Sequence, residues 1–175
     1  MLRIIEGKSV ASEIDAKSAE QVKMLKEEFN VTPTLNMMVI EGDRSSELYV
    51  KRKANACEKI GGRVHITSFK KDVQLEDIIN GVENANQDNM VHGILLQLPL
   101  PPHLDEVRIT SSISLEKDID GLNPRGIGIL TFGGKAYASA GAEAAKILVE
   151  KSGMLSKRSH CVVLGASNIF GKPFA

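Results

Sequence analysis

Tyr49 and Lys53 stand four positions apart in Tyr49-Val-Lys-Arg-Lys53, a spacing that puts both side chains on one face if the stretch is helical. A phenol ring can stack on a flat ligand while the amine beside it moves a proton, so the pair suits acid–base work on a heterocyclic substrate. A solvated Tyr beside a solvated Lys is the plainer reading of the same spacing. Gln97 closes the apolar run Ile94-Leu-Leu96, immediately before Leu98-Pro99-Leu-Pro-Pro. Ligands of open α/β sheets collect at the carboxyl ends of strands, which makes Gln97 either a site residue or a hydrogen-bonded turn residue. Asp118 and Asp120, in Lys117-Asp-Ile-Asp-Gly121, form an acidic element for which turn capping is the simpler alternative. Near the end of the chain, Gly165-Ala-Ser-Asn-Ile-Phe-Gly171-Lys-Pro173 follows an apolar run. A glycine-bearing turn between a strand and a helix start aims backbone N–H groups at an anion. The spacing departs from G-x-G-x-x-G, and Lys172 is followed by Pro173 where a triphosphate loop needs Ser or Thr.

Periodicity supplies the elements that must position these residues. Val10, Ile14, Val22, Leu25 and Phe29 mark one stripe of a helix over 9–29, with Ser18 in its gap and Asn30 and Pro33 at its end. An apolar strand is expected over 35–40, then a turn in which Ser45 or Ser46 caps a second helix running to about Ile60. Gly61-Gly62 provides a left-handed stop. A strand over 63–69, a helix striped by Leu75, Ile78, Ile79, Val82 and Ala85, and a buried strand over 91–97 continue the alternation. Residues 101–130 are less regular, with a short helix near 105–109. An Ala-rich helix over 141–152 then leads to a strand over 159–165. Alternating strands and helices define an α/β fold with a mainly parallel sheet, as in a three-layer domain. The domain boundary is expected between 120 and 141.

Composition narrows the partners. With 22 basic and 22 acidic residues there is no electrostatic drive toward nucleic acid or an acidic membrane. Aromatics make up 4% and Trp is absent, which argues against a stacking surface for single strands. No apolar run approaches the ~18 residues of a membrane span, and charge interrupts the N-terminus too early for a secretory signal. Cys57 and Cys161 lack any metal or redox spacing and read as reduced thiols of a cytoplasmic protein. No metal site is expected.

Four stretches in order carry a specific resemblance: Tyr49-Val-Lys-Arg-Lys53-Ala-Asn-Ala-Cys-Glu-Lys-Ile-Gly61, His92-Gly-Ile-Leu-Leu-Gln-Leu-Pro-Leu-Pro101, Lys117-Asp-Ile-Asp-Gly121 and Val162-Val-Leu-Gly-Ala-Ser-Asn-Ile-Phe-Gly-Lys-Pro173. Together they closely resemble the methylenetetrahydrofolate dehydrogenase/methenyltetrahydrofolate cyclohydrolase family, the bifunctional FolD type. The resemblance implies a folate-binding catalytic domain over 1–138. Residues 139–175 would then be the linker helix and the first strand and Gly turn of a Rossmann-type NADP domain. It implies Lys53 as the central catalytic residue, Tyr49 against the folate rings, Gln97 hydrogen-bonded to Lys53, and Asp120 on the pterin nitrogens. Leu96, Leu98 and Pro99 would complete the substrate site. Gly165, Ala166, Ser167, Gly171 and Pro173 would face the cofactor, NADP or, because Ala166 replaces an Arg that reaches the 2′-phosphate, NAD. The implied partners are a small-molecule folate and, in the full-length form, a second copy in a homodimer.

Two departures bear on what to expect. A ribose-binding acidic residue would fall ~20 positions after the Gly turn, past Ala175, so a complete dinucleotide domain is not expected within this chain. Ala138-Ser-Ala-Gly141 replaces the family's Pro-Cys-Thr-Pro type of segment, leaving Ser139 as the available helix cap. Capping losses cost ~0.5–2 kcal/mol, enough to loosen an inter-domain hinge.

Overall fold

The computed structural model describes residues 4–154, 156 and 158–175; residues 1–3, part of the N-terminal stretch read above, lie outside them. Three strands, β1 (Thr34–Ile40), β2 (Arg63–Phe69) and β3 (Gly93–Leu96), form a parallel sheet in the order β2-β1-β3. Alternation along the central strand sends Met38 and Ile40 to one face and Met37 and Val39 to the other. On the first face they pack with Ile78 and Val82 of α3 (Leu75–Gln87) and Ile109 of α4 (Glu106–Ser112). On the second they meet Val50 and Ala54 of α2 (Arg44–Lys59). A sheet buried on both faces needs the near-continuous apolar run that β1 carries, and the result is the expected three-layer α/β architecture.

Helix ends follow local chemistry. Asn30 closes α1 (Gly7–Phe29) in the left-handed region at φ 53°, a conformation that Asn tolerates better than most residues. The cap of α2 is Asp43, not Ser45 or Ser46: its carboxylate accepts the Ser46 N–H at 2.7 Å. Asp43 has the extended backbone a cap requires, so the two serines fall inside the first turn. The hydrogen bonds from Ser46 hold the Asp43 carboxyl below its ordinary value. Gly61, at φ +92°, supplies the expected stop.

Four expectations need correction. The stripe of α1 is only partly used, since Val10 and Val22 are buried but Ile14 and Phe29 are 45% and 64% exposed. The strand over 91–97 contracts to Gly93–Leu96 because Val91 donates to Asp88 O in a turn, although Gln97 N still donates to Met38 O. A helix, α5 (Pro124–Thr131), stands inside the stretch read as irregular; its signal was Asn123-Pro124, a cap followed by a proline at the first turn. Finally, 159–165 is not a strand. No neighbouring strand among the described residues offers it a ladder, and Val162 and Leu164 stay 72% and 95% exposed.

The chain then runs through α6 (Ala140–Ser152), tied to α1 by the Lys151–Glu13 ion pair, to the short α7 (Gly171–Phe174). Both cysteines are free thiols, and burial pushes the Cys57 thiol up. No helix among the described residues is long and apolar enough to cross a membrane. Ile78 and Ile14 both lie on sequence-predicted stripes but differ in burial. Ile78→Ala is expected to cost ~2–5 kcal/mol and Ile14→Ala less than about 0.5 kcal/mol, measured by urea unfolding.

Candidate functional site

The carboxyl edge of the sheet gathers the residues singled out by sequence. Gln97 lies at the end of β3, and α2, which follows β1, carries Tyr49 and Lys53 one turn apart. The segment after α4 runs beside β3 as a one-residue strand: Ile94 N donates to Lys117 O at 2.7 Å, and Ile94 and Asp118 form a parallel bridge. Continuing in the same direction, Asp120 reaches the same edge. Its Oδ2 lies 3.6 Å from Lys53 Nζ, with the two side chains 22% and 38% exposed. A pair as open to water as this contributes ~0–1 kcal/mol to stability, so its presence is better explained by chemistry than by folding.

Asp118 and Asp120 take different roles. Asp118 is 2% exposed, and its carboxylate accepts N–H groups from Leu122 at 3.1 Å and Asn123 at 2.8 Å. Turn capping is therefore the right reading for Asp118. Burial pushes its carboxyl above the ordinary 3.8, against the pull of those backbone donors. Asn123 escaped the sequence reading as a site-supporting residue. Its Oδ1 caps α5 through Arg125 N, and its Nδ2 donates to Ile113 O at 2.7 Å. Gly121 closes the turn at φ +61°, where a Cβ would come within 2.5 Å of Tyr137 O. That contact brings 137–139 against the loop, and Ser139 caps α6 by accepting the Ala142 N–H.

Gln97 departs from expectation in its partner. It is 8% exposed; its Nε2 donates to Leu98 O at 2.6 Å, and its Oε1 is buried without a partner among the described residues. Turning the amide over would set Oε1 against the Leu98 carbonyl, so its orientation is fixed. The expected Gln97–Lys53 hydrogen bond is not formed, because the ammonium pairs with a carboxylate in preference to a neutral amide. An unpartnered buried acceptor costs ~1–3 kcal/mol and leaves an oxygen ready for a donor. Tyr49 presents an open ring, 53% exposed. Leu96 belongs to the core, Leu98 packs partly against it, and exposed Pro99 follows a cis peptide bond. None of Tyr49, Lys53, Gln97 or Asp120 lines the hollow of about 430 Å³ beside Leu115, Ile129 and Tyr137.

The Gly turn does not assemble into a dinucleotide site. Gly165 adopts φ +114°, and Gly171 packs directly on the Gly165 carbonyl. Ser167 Oγ accepts the N–H groups of Phe170 and Gly171, the donors a phosphate would need. Ala166 offers no charge, and Pro173 lies in a helix of four residues. In this arrangement the turn's amides are taken by Ser167, so 165–173 alone do not complete an NADP or NAD site.

The parallel α/β domain sets its lysine–aspartate pair and buried glutamine at the carboxyl edge, where ligands of open α/β sheets bind. Residues 5–120 match the catalytic domain of tetrahydrofolate dehydrogenase/cyclohydrolase, and the chain is a member of that family. The bifunctional protein FolD of Moorella thermoacetica is 36% identical over 173 residues, covering 99% of this chain and 61% of its own length. The 5,10-methylenetetrahydrofolate dehydrogenase of the silkworm Bombyx mori superposes with a TM-score of 0.95 at 31% identity, covering 100% of this chain and 60% of its own. The Trypanosoma brucei N5,N10-methylenetetrahydrofolate dehydrogenase-cyclohydrolase, complexed with NADP and an inhibitor, gives 0.92 at 31%, over 99% and 59%. This chain thus spans about 60% of the length of these relatives.

The raised Asp118 carboxyl has a sign that can be checked. The folded chain binds this proton more tightly than the unfolded one, so the group's stabilisation is greatest below pH 3.8 and fades as pH rises through the native midpoint. A carboxyl 13C titration should place the Asp118 midpoint above 3.8; a midpoint at or below it would contradict the assignment.

Proposed function

We propose that this chain is the folate-binding catalytic part of a bifunctional one-carbon enzyme. That enzyme oxidises 5,10-methylenetetrahydrofolate to the 5,10-methenyl form with NADP and hydrolyses the product to 10-formyltetrahydrofolate. The observation that carries the reading is the Lys53–Asp120 pair at 3.6 Å, which joins two sequence motifs at one strand edge. Family membership over 5–120 supports it. On this reading 1–138 is the catalytic domain and 139–175 the linker helix and the beginning of the cofactor domain, through which the full-length protein dimerises.

In the hydrolytic half, the open Tyr49 ring stacks on the folate ring system, and the Asp120 carboxylate accepts paired N–H donors of the pterin. Gln97 Oε1, the orphan acceptor, takes a hydrogen bond from Lys53 or from the attacking water once substrate is bound. Water adds to the methenyl cation and loses both its protons as the formyl C=O forms: one reaches N5 as the bond from that carbon to N5 breaks, and the other leaves to solvent. Lys53 carries the first of these protons to N5, a contribution worth ~10²–10⁴-fold in rate. The oxidative half belongs to the whole enzyme, of whose cofactor domain 159–175 is only the beginning.

A second reading has its own support: Gln97 Oε1 makes no contact with Lys53, which favours a chain that only binds folate. Methenyltetrahydrofolate hydrolysis by this chain, followed optically, separates the two. Activity that falls ~10²-fold or more in Lys53→Ala is the expected result. A rate no higher than the variant's would reduce the chain to a folate-binding fragment.

A further inference from the structure

Lys117 stands outside the reacting groups, yet its side chain is the most fully engaged cation among the described residues. Its Nζ donates to the carbonyls of Ala85 at 3.0 Å, Asn86 at 2.7 Å and Asp88 at 2.8 Å. Three ammonium hydrogens thus meet three carbonyl oxygens at the C-terminal end of α3, a helix whose own last turn has no basic residue. Orphan carbonyls and the negative end of the helix dipole both favour a cation at that place. The Asn86 side chain adds a second tie, donating to Ser112 O and accepting from Ser114 N. The end of α3 is in this way an anchor for 112–117.

The Lys117 backbone is held as firmly. Its carbonyl accepts Ile94 N from β3 and Ile119 N from the loop. Immediately beyond, Asp118 fixes the far side of the loop through Leu122 and Asn123. Asp120 lies between these two clamps and forms an ion pair with Lys53. We infer that Lys117 is a positioning residue: by chelating the end of α3 it sets how far the loop advances along β3 and so holds the Asp120 carboxylate at Lys53. This rests on the proposed function only for its kinetic consequence.

The first test needs no ligand. In the wild-type chain, Lys53→Ala should shift the Asp120 carboxyl 13C resonance. In a Lys117→Met background that response should drop by half or more, while the amide shifts of Met37, Met38 and Val39 stay in place as a check on the fold. An undiminished response overturns the inference, whether or not the chain turns over folate. Should Lys117→Met fail to fold, Lys117→Arg takes its place, since a planar guanidinium keeps the charge but cannot meet three converging carbonyls. The second test is a double-mutant cycle on KM for methenyltetrahydrofolate hydrolysis. Lys117→Met should raise KM about as much as Asp120→Asn, and the double variant should be no worse than Asp120→Asn alone. Multiplying effects would make Lys117 a clamp of the fold without a positioning role. Absent wild-type hydrolysis would sink the function reading and leave the 13C test to decide this one.

Discussion

The buried carboxylate of Asp118 is where fold and site meet. It sits on the one-residue bridge to Ile94 and, by accepting the N–H groups of Leu122 and Asn123, turns the chain from the edge of β3 into α5. A charge-accepting group in the interior is tolerated only when its lone pairs are used, and here backbone donors use them. Asp120 can face Lys53 because Asp118 faces inward: the loop extends like a strand, and the sharp turn at Gly121 follows.

Energetically the site and its frame are opposites. Asp118, Asn123 and Ser139 are buried and bonded, and removing any of them would leave orphaned backbone groups. The Lys53–Asp120 pair is wet, Tyr49 is open, and Gln97 keeps an unsatisfied oxygen. None of these three features favours stability. Local rules are commonly broken at functional positions and obeyed around them, and that contrast separates the two aspartates more sharply than their sequence context does.

The segment from 159 to 175 illustrates the reverse case. Its apolar run and Gly turn have the composition of a strand leading into a phosphate-binding helix, yet the run forms no strand and is largely exposed while Ser167 occupies the turn's amides. A single strand gains nothing from extension without a neighbour to share its hydrogen bonds. Part of the α1 stripe is likewise exposed, at Ile14 and Phe29.

Periodicity alone determined β1, β2, α2 and α3 to within a residue or two, because alternation and helical stripes are local properties of the chain. It also placed Tyr49 and Lys53 on one face and Gln97 at a strand end, whereas Asp120 was singled out from Asp118 only by the family resemblance. The sequence could not say that Lys53 would pair with Asp120 and leave Gln97 Oε1 unbonded, nor which of the two aspartates would cap the turn. Nor could it say that 159–165 would lack a ladder. Those outcomes depend on residues distant in sequence competing for the same donors and acceptors, and only the packing of α3, β3 and the loop beside them decides which partner is within reach.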